Sequence, residues 1–164
     1  MVDRPDVALD DLYREVVMDH HRHPRGHEPL DRVDTAAHGF NPMCGDELFL
    51  NLALDGDRVA AVQVVNRGCA ISTASGSILA EMLPGKTLAE AEATAEAFRA
   101  MMHGEPVPAG ADLGDLEALE GVKKFAVRVK CAMLAWVTLK DAVTTWRAGG
   151  HESTSTTELE ETRS

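Results

Sequence analysis

Residues 46–69 read DELFLNLALDGDRVAAVQVVNRGC. Leu48, Leu50, Leu52 and Leu54 alternate strictly with other residues, which is the period of a strand with one buried face. Asp55-Gly56-Asp57 supplies a turn, and Val59 to Val65 is rich in β-branched residues, so the stretch is a β-hairpin. Upstream, Val33 to Phe40 offers a further strand. Before that, Leu9, Leu12, Tyr13, Val16 and Val17 recur at helical spacing, and Asp10 and Asp11 suit the positive end of a helix dipole. This predicts a helix from Leu9 to His21, stopped by His23-Pro24-Arg25-Gly26. Downstream the signals turn helical. Ser72 to Leu83 runs until Pro84-Gly85. Thr87-Leu-Ala-Glu90 is a capping box that opens a helix with Leu88, Ala91, Ala95, Phe98 and Met102 on one face. Leu113 to Leu119 suggests a short helical piece after the breaker-rich loop from His103 to Gly110. Val129, Ala132, Met133, Trp136, Val143 and Trp146 define a last amphipathic helix.

Strands early and helices late predict an α+β fold, a small antiparallel sheet of about three strands packed against helices. One domain is expected over residues 8–147, after a flexible N-terminus at residues 1–7. The tail at residues 148–164 carries one apolar side chain beyond Gly150, too little to offset its ordering entropy, and is expected to be disordered and acidic.

The chain has 164 residues, 45% hydrophobic and only 4% aromatic, so its core must rely on Leu, Val, Ala and Met. A formal charge of −11 argues against a nucleic-acid surface, which needs a basic stripe to displace counterions. The N-terminal residues are polar and do not read as a signal peptide, and the densest apolar run, Cys131 to Val137, is far shorter than a bilayer span. A cytoplasmic protein with no membrane and no nucleic-acid partner is therefore expected. In a reducing compartment an odd set of three cysteines is a poor disulfide framework, which leaves metal binding, catalysis or plain burial.

The cysteines are Cys44 in Asn-Pro-Met-Cys-Gly-Asp, Cys69 in Asn-Arg-Gly-Cys-Ala-Ile-Ser, and Cys131 in Val-Arg-Val-Lys-Cys-Ala-Met. Asp46 adds a fourth donor, and zinc favours four tetrahedral ligands drawn from thiolate, imidazole and carboxylate. Cysteine is also a common small core residue, and there is no Cys-x-x-Cys knuckle here. Position favours a shared metal: each cysteine falls at an expected element boundary, and glycine flanks two of them. A helix N-terminus with Arg128 and Lys130 nearby is expected to lower the Cys131 pKa.

The histidines His20, His21, His23, His27 and His38 do not make a convincing rival set. Pro24 and Gly26 separate His23 from His27, and His20 and His21 diverge on a helix. Partly exposed or locally bonded imidazoles are expected, with His38 the candidate to support the cysteines from outside the ligand set.

Asn-Pro-Met-Cys-Gly-Asp, Gly-Cys-Ala-Ile-Ser-Thr-Ala-Ser and Lys-Phe-Ala-Val-Arg-Val-Lys-Cys-Ala-Met-Leu-Ala-Trp together resemble the SufU family, relatives of the IscU iron–sulfur scaffold. Leu12 to His20 and Asp112 to Gly121 are similar to that family too. Lys130, where IscU-like scaffolds have histidine, and the extra residues from Gly104 to Gly121 lean toward SufU. Ala126 departs from an expected proline.

The resemblance implies an IscU-like fold and zinc held by Cys44, Asp46, Cys69 and Cys131. It further implies a sulfurtransferase that takes persulfide sulfur from a SufS-type cysteine desulfurase and passes it to the downstream SUF cluster-assembly complex. Cys44, beside flexible Gly45, is the expected nucleophile. Arg128 is expected to offset the site charge or steady the departing sulfur, its alternative being a surface salt bridge. The rival expectation is an IscU-like scaffold in which the same donors ligate a [2Fe–2S] cluster.

Overall fold

The leucine alternation becomes strand β2 (Asp46–Asp55), in which Leu48, Leu50 and Leu52 are buried while Phe49 on the opposite face is half exposed. Asp55 closes onto β3 (Arg58–Arg67) as an antiparallel hairpin, with a register shift at Ala53/Leu54. β1 (Thr35–Asn41) pairs antiparallel with the other edge of β2, from Thr35↔Leu52 to Asn41↔Asp46. A computed structural model of the chain describes residues 5–157, with side chains from residue 11 onward.

Helix α1 (Pro5–Arg22) precedes the sheet; α2 (Ala70–Met82), α3 (Leu88–Met102), a 3₁₀ segment (Gly114–Lys124) and α4 (Ala126–Arg147) follow it. The capping box of α3 forms in both halves, Thr87 Oγ1 accepting from Glu90 N and Glu90 returning to Thr87 N. α2 and α4 cover the leucine face of the sheet. α4 is buried nearly all round between Cys131 and Leu139, so it is the central element of the core rather than a half-exposed helix. Trp136 lies at its centre against Phe98, ring centroids 5.9 Å apart. Its close seat on β1 depends on Gly39, where a Cβ would come within 2.0 Å of Thr138 Oγ1. That contact fixes how α4 presents Cys131 to the end of β1.

Several expectations need correction. The sheet has four strands, ordered β3-β2-β1-β4, because the tail is not disordered throughout: Glu152–Thr156 forms β4, parallel to β1. Residues 158–164 lie outside the described residues. The strand is polar, and its order comes from backbone pairing with the free edge of β1 and packing on α4, neither of which local composition reports. α1 begins at Pro5, so the expected flexible N-terminus already contains helix; residues 1–4 and the Leu9 side chain are outside the described set. The piece near Leu113 is a 3₁₀ segment that buries Leu116 and Leu119. Among the described residues no helix is long and apolar enough to cross a membrane.

Candidate metal centre

Asp46 is the first residue of β2, and its carboxylate is buried. It is held there by Cys69 N, which donates to Oδ1 at 2.9 Å, and it fills the space beside Gly68. The hairpin register thus carries the end of β3 back to the start of β2, bringing together two residues separated by the full length of both strands. Cys69 is the N-cap of α2, with extended backbone, and its sulfur accepts from Ser72 N at 3.4 Å. The sulfur thus sits at the positive end of a helix with a backbone N–H directed at it.

Cys44 stands in the β1–β2 connection. Cys44 N and Gly45 N both fold back to Asn41 O, at 3.3 and 2.8 Å, and Gly45 takes φ +74°, the left-handed region that favours glycine. The turn leaves Cys44 exposed. Cys131, the sixth residue of α4, is fully buried, and its sulfur lies 3.4 Å from Cys44 Sγ. Burial dominates its chemistry: the thiol is pushed well above the ordinary cysteine range, first by desolvation and then by its hydrogen bonds to Cys44 and Asp46. The expected lowering by a helix N-terminus is therefore corrected. That position belongs to Cys69, and Cys131 sits a turn and a half inside its helix.

The donor atoms of Cys44, Asp46 and Cys131 all lie within 4.8 Å of one another; Cys69 stands outside that trio and touches it through Asp46, its Sγ 3.7 Å from Oδ2. A tetrahedral ion with bonds of about 2.3 Å to sulfur and 2.0–2.2 Å to oxygen requires donor–donor edges of about 3.6–3.8 Å. The 3.7 Å Cys69–Asp46 separation is on that scale and the 3.4 Å Cys44–Cys131 separation is a few tenths of an ångström short of it, and soft sulfur donors with one carboxylate suit a zinc-like ion. In kind and number, three thiols and one carboxylate suit such a group, with three donors already gathered and Cys69 in contact with the set through Asp46.

Arg128, exposed on the first turn of α4, faces this cluster. Its electrostatic interaction with Cys69 and Cys131 holds the guanidinium above its usual range. Met43, next to Cys44 in the chain, and Phe125 and Val127, at the start of α4, are exposed apolar side chains. His38, in contrast, does not support the cysteines. Its Nε2 pairs with Glu47 at 2.8 Å and its ring stacks on Phe49, centroids 4.4 Å apart, on the opposite face of the sheet.

Two polar arrangements escaped the sequence reading. Asn41, in the same motif as Cys44, is fully buried with its amide beside Cys131. Its place directly before Pro42 at a strand end was the available signal. His20 is buried rather than exposed, with Nδ1 2.7 Å from Ser77 Oγ and Nε2 3.0 Å from Asp115. A polar residue on the apolar stripe of α1, in line with Val16 and Val17, marked it.

Comparison with known proteins supplies the context for this geometry. The NifU-like N-terminal domain model matches residues 12–152. The zinc-dependent sulfurtransferase SufU of Bacillus subtilis is 42% identical over 82% of this chain and 91% of its own. The iron–sulfur cluster assembly scaffold protein IscU of Streptococcus pyogenes is likewise 42% identical, over 82% of this chain and 84% of its own. Among solved structures, a candidate SUF-system cluster assembly scaffold, SufU of Fervidobacterium islandicum AW-1, is similar with a TM-score of 0.75 at 34% identity, covering 79% of this chain and 94% of that one.

Proposed function

The chain belongs to the NifU-like N-terminal domain family, with SufU and IscU proteins as its relatives, and from that premise we propose that it is a zinc-dependent sulfurtransferase. It accepts persulfide sulfur from a SufS-type cysteine desulfurase, stimulates that enzyme, and delivers the sulfur to SUF iron–sulfur cluster assembly. The observation that carries the reading is the asymmetry of the cysteines: Cys44 is exposed on a glycine-hinged turn, whereas Cys131 is buried in α4 and Cys69 caps α2.

Cys44, Asp46, Cys69 and Cys131 would hold the zinc. When bound, the ion keeps its thiol ligands deprotonated near neutral pH, where a free cysteine is only a few per cent thiolate. Cys44 then acts as the nucleophile. Its sulfur attacks the outer sulfur of the partner's persulfide; that S–S bond breaks, the partner's cysteine leaves as thiolate, and a new S–S bond forms on Cys44. The exchange is redox-neutral, and the proton of the transferred sulfhydryl passes to solvent. Gly45 lets the Cys44 turn move while the β2 and α2 positions of Asp46 and Cys69 stay fixed. Arg128 offsets the negative charge of the ligand set, which is −2 with three thiolates and one carboxylate around a divalent ion. Exposed Met43, Phe125 and Val127 offer apolar area for the desulfurase to cover.

A second reading is favoured by the names of relatives: the same donors serve as a scaffold for a [2Fe–2S] cluster, as the Streptococcus pyogenes relative is called a scaffold. One experiment separates the two. The chain is incubated with a SufS-type desulfurase and ³⁵S-cysteine, and its metal content is measured as isolated. Reductant-labile label on this chain, faster cysteine turnover and a colourless zinc protein support sulfur transfer. No label on a brown, iron-containing protein supports the scaffold instead.

A further inference from the structure

Beyond the ligand set, we propose that Asn41 is a positioning residue that couples the C-terminal strand to the Cys131 sulfur, so that docking of β4 tightens the metal centre. The proposal rests on the reading of Cys131 as a metal ligand.

Asn41 is the last residue of β1 and has no solvent exposure. Each half of its amide has a partner. Oδ1 accepts from Met43 N at 3.1 Å and from Thr157 Oγ1 at 3.3 Å. Because a backbone N–H can only donate, the atom facing Met43 N must be the oxygen, and the amide orientation is thereby fixed. The other half, Nδ2, then has to face Cys131 Sγ, 3.7 Å away. A donor to a thiolate draws charge off sulfur and holds it in place. Cys131 receives such a donor from Asn41, as Cys69 does from Ser72 N.

The coupling to the tail follows from strand register. β4 runs parallel to β1, and the pairing ends at Phe40↔Thr156. The next residue is Asn41 at the end of β1 and Thr157 just past the end of β4, so zipping the strand onto β1 delivers the Thr157 hydroxyl to the Asn41 amide. Thr157 is itself buried. Strand pairing therefore adds a second donor to the amide oxygen that Met43 N already orients, and the braced amide reaches the Cys131 sulfur. Such a link is reciprocal: what β4 docking does for the ion, the ion does for β4 docking.

The test uses the full chain and three variants, Thr157→Val, Thr157→Ser and Asn41→Asp. Thr157→Val keeps the shape and removes the hydroxyl; Thr157→Ser keeps the hydroxyl. Asn41→Asp keeps the acceptor toward Met43 N and Thr157 but cannot donate to sulfur. Zinc affinity is read by competition with a chromophoric chelator. We expect about 3- to 10-fold weaker binding for Thr157→Val, about 10- to 100-fold for Asn41→Asp, and wild-type affinity within about 2-fold for Thr157→Ser.

Two readouts do not depend on activity. The thiolate-to-cobalt charge-transfer band of the cobalt-loaded protein moves to longer wavelength in Thr157→Val and further in Asn41→Asp, because the sulfur loses its donor. Amide exchange across Glu152–Thr156 slows on zinc binding in the wild type and not in Thr157→Val. Equal affinity and an unmoved band in Thr157→Val overturn the coupling while leaving the metal site intact. Loss in Thr157→Ser matching that in Thr157→Val also overturns it, since the hydroxyl is then not the cause. A wild type that takes up neither ion overturns the metal reading itself, and the coupling with it.

Discussion

Gly68 and Asp46 occupy one space: a Cβ on Gly68 would lie 2.3 Å from Asp46 Oδ1 and 2.9 Å from Asp46 Cβ. The whole Asp46 side chain, not just its tip, would have to move. Gly68→Ala is therefore expected to displace the carboxylate from Cys69 N and from the donor cluster. Zinc affinity should fall about 10-fold or more, and the metal-free chain should lose about 1–3 kcal/mol from overpacking. Chelator competition and urea unfolding measure the two separately. Unchanged affinity would show that Asp46 is not a ligand.

Exposed Cys44 and buried Cys131 should respond differently to removal. Cys44→Ala is expected to abolish sulfur acceptance while retaining part of the zinc, since three donors on firm elements remain. Asp46→Ala should loosen the ion and alter the exchange without removing the nucleophile. Labelled sulfur on the chain and zinc per chain, measured on the same samples, resolve the cases. Acceptance by Cys44→Ala equal to the wild type would remove Cys44 from its role.

The contrast between these residues also shows what the sequence could convey. The β2–β3 hairpin was legible because Leu48, Leu50 and Leu52 announce a buried face by local alternation, and Thr87 and Glu90 announced a helix start for the same local reason. The four donors stood out through their motifs. Their roles did not: that Cys69 rather than Cys131 sits at a helix N-terminus depends on where each helix begins, to within a turn. Strand β4 was missed because Glu152–Thr156 has no apolar pattern, and its order is supplied by β1 and α4. Asn41 was invisible as a relay because its partners Cys131 and Thr157 are 90 and 116 residues away. Likewise His20 looked like a surface imidazole until α2 and the 3₁₀ segment closed over it.

Burial of Cys131 makes the metal-free protein sensitive to alkaline pH. Its thiol pKa is raised in the folded state, chiefly by desolvation. The unfolded chain ionises this thiol above about pH 8.5 while the folded chain keeps it protonated. Below that pH the group does not change the folding equilibrium. Above it stability declines by up to about 1.4 kcal/mol per pH unit from this residue. Urea midpoints of the metal-free wild type should thus fall between pH 8 and 10, and those of Cys131→Ala should fall less. Zinc reverses the trend, because its ligands must be deprotonated and binding tightens as pH rises. Parallel pH profiles for the two metal-free proteins would sink this account.

Ser77 ties α2 to α1 and to the connector after it through one oxygen, and His20 extends the link to the 3₁₀ segment. Its Oγ lies 2.7 Å from His20 Nδ1 on α1 and accepts Arg25 N at 2.9 Å, while His20 Nε2 meets Asp115 of the 3₁₀ segment at 3.0 Å. Removing the hydroxyl leaves both a buried ring nitrogen and a backbone N–H without this partner. Ser77→Ala should cost about 1–3 kcal/mol in urea unfolding, with the slope unchanged because the same surface is exposed. Ser77 lies two turns along α2 from Cys69, so zinc affinity of the folded variant should match the wild type. A Ser77→Ala protein as stable as the wild type would show that His20 is satisfied by other means, and one that loses zinc would place this network within the metal centre rather than beneath it.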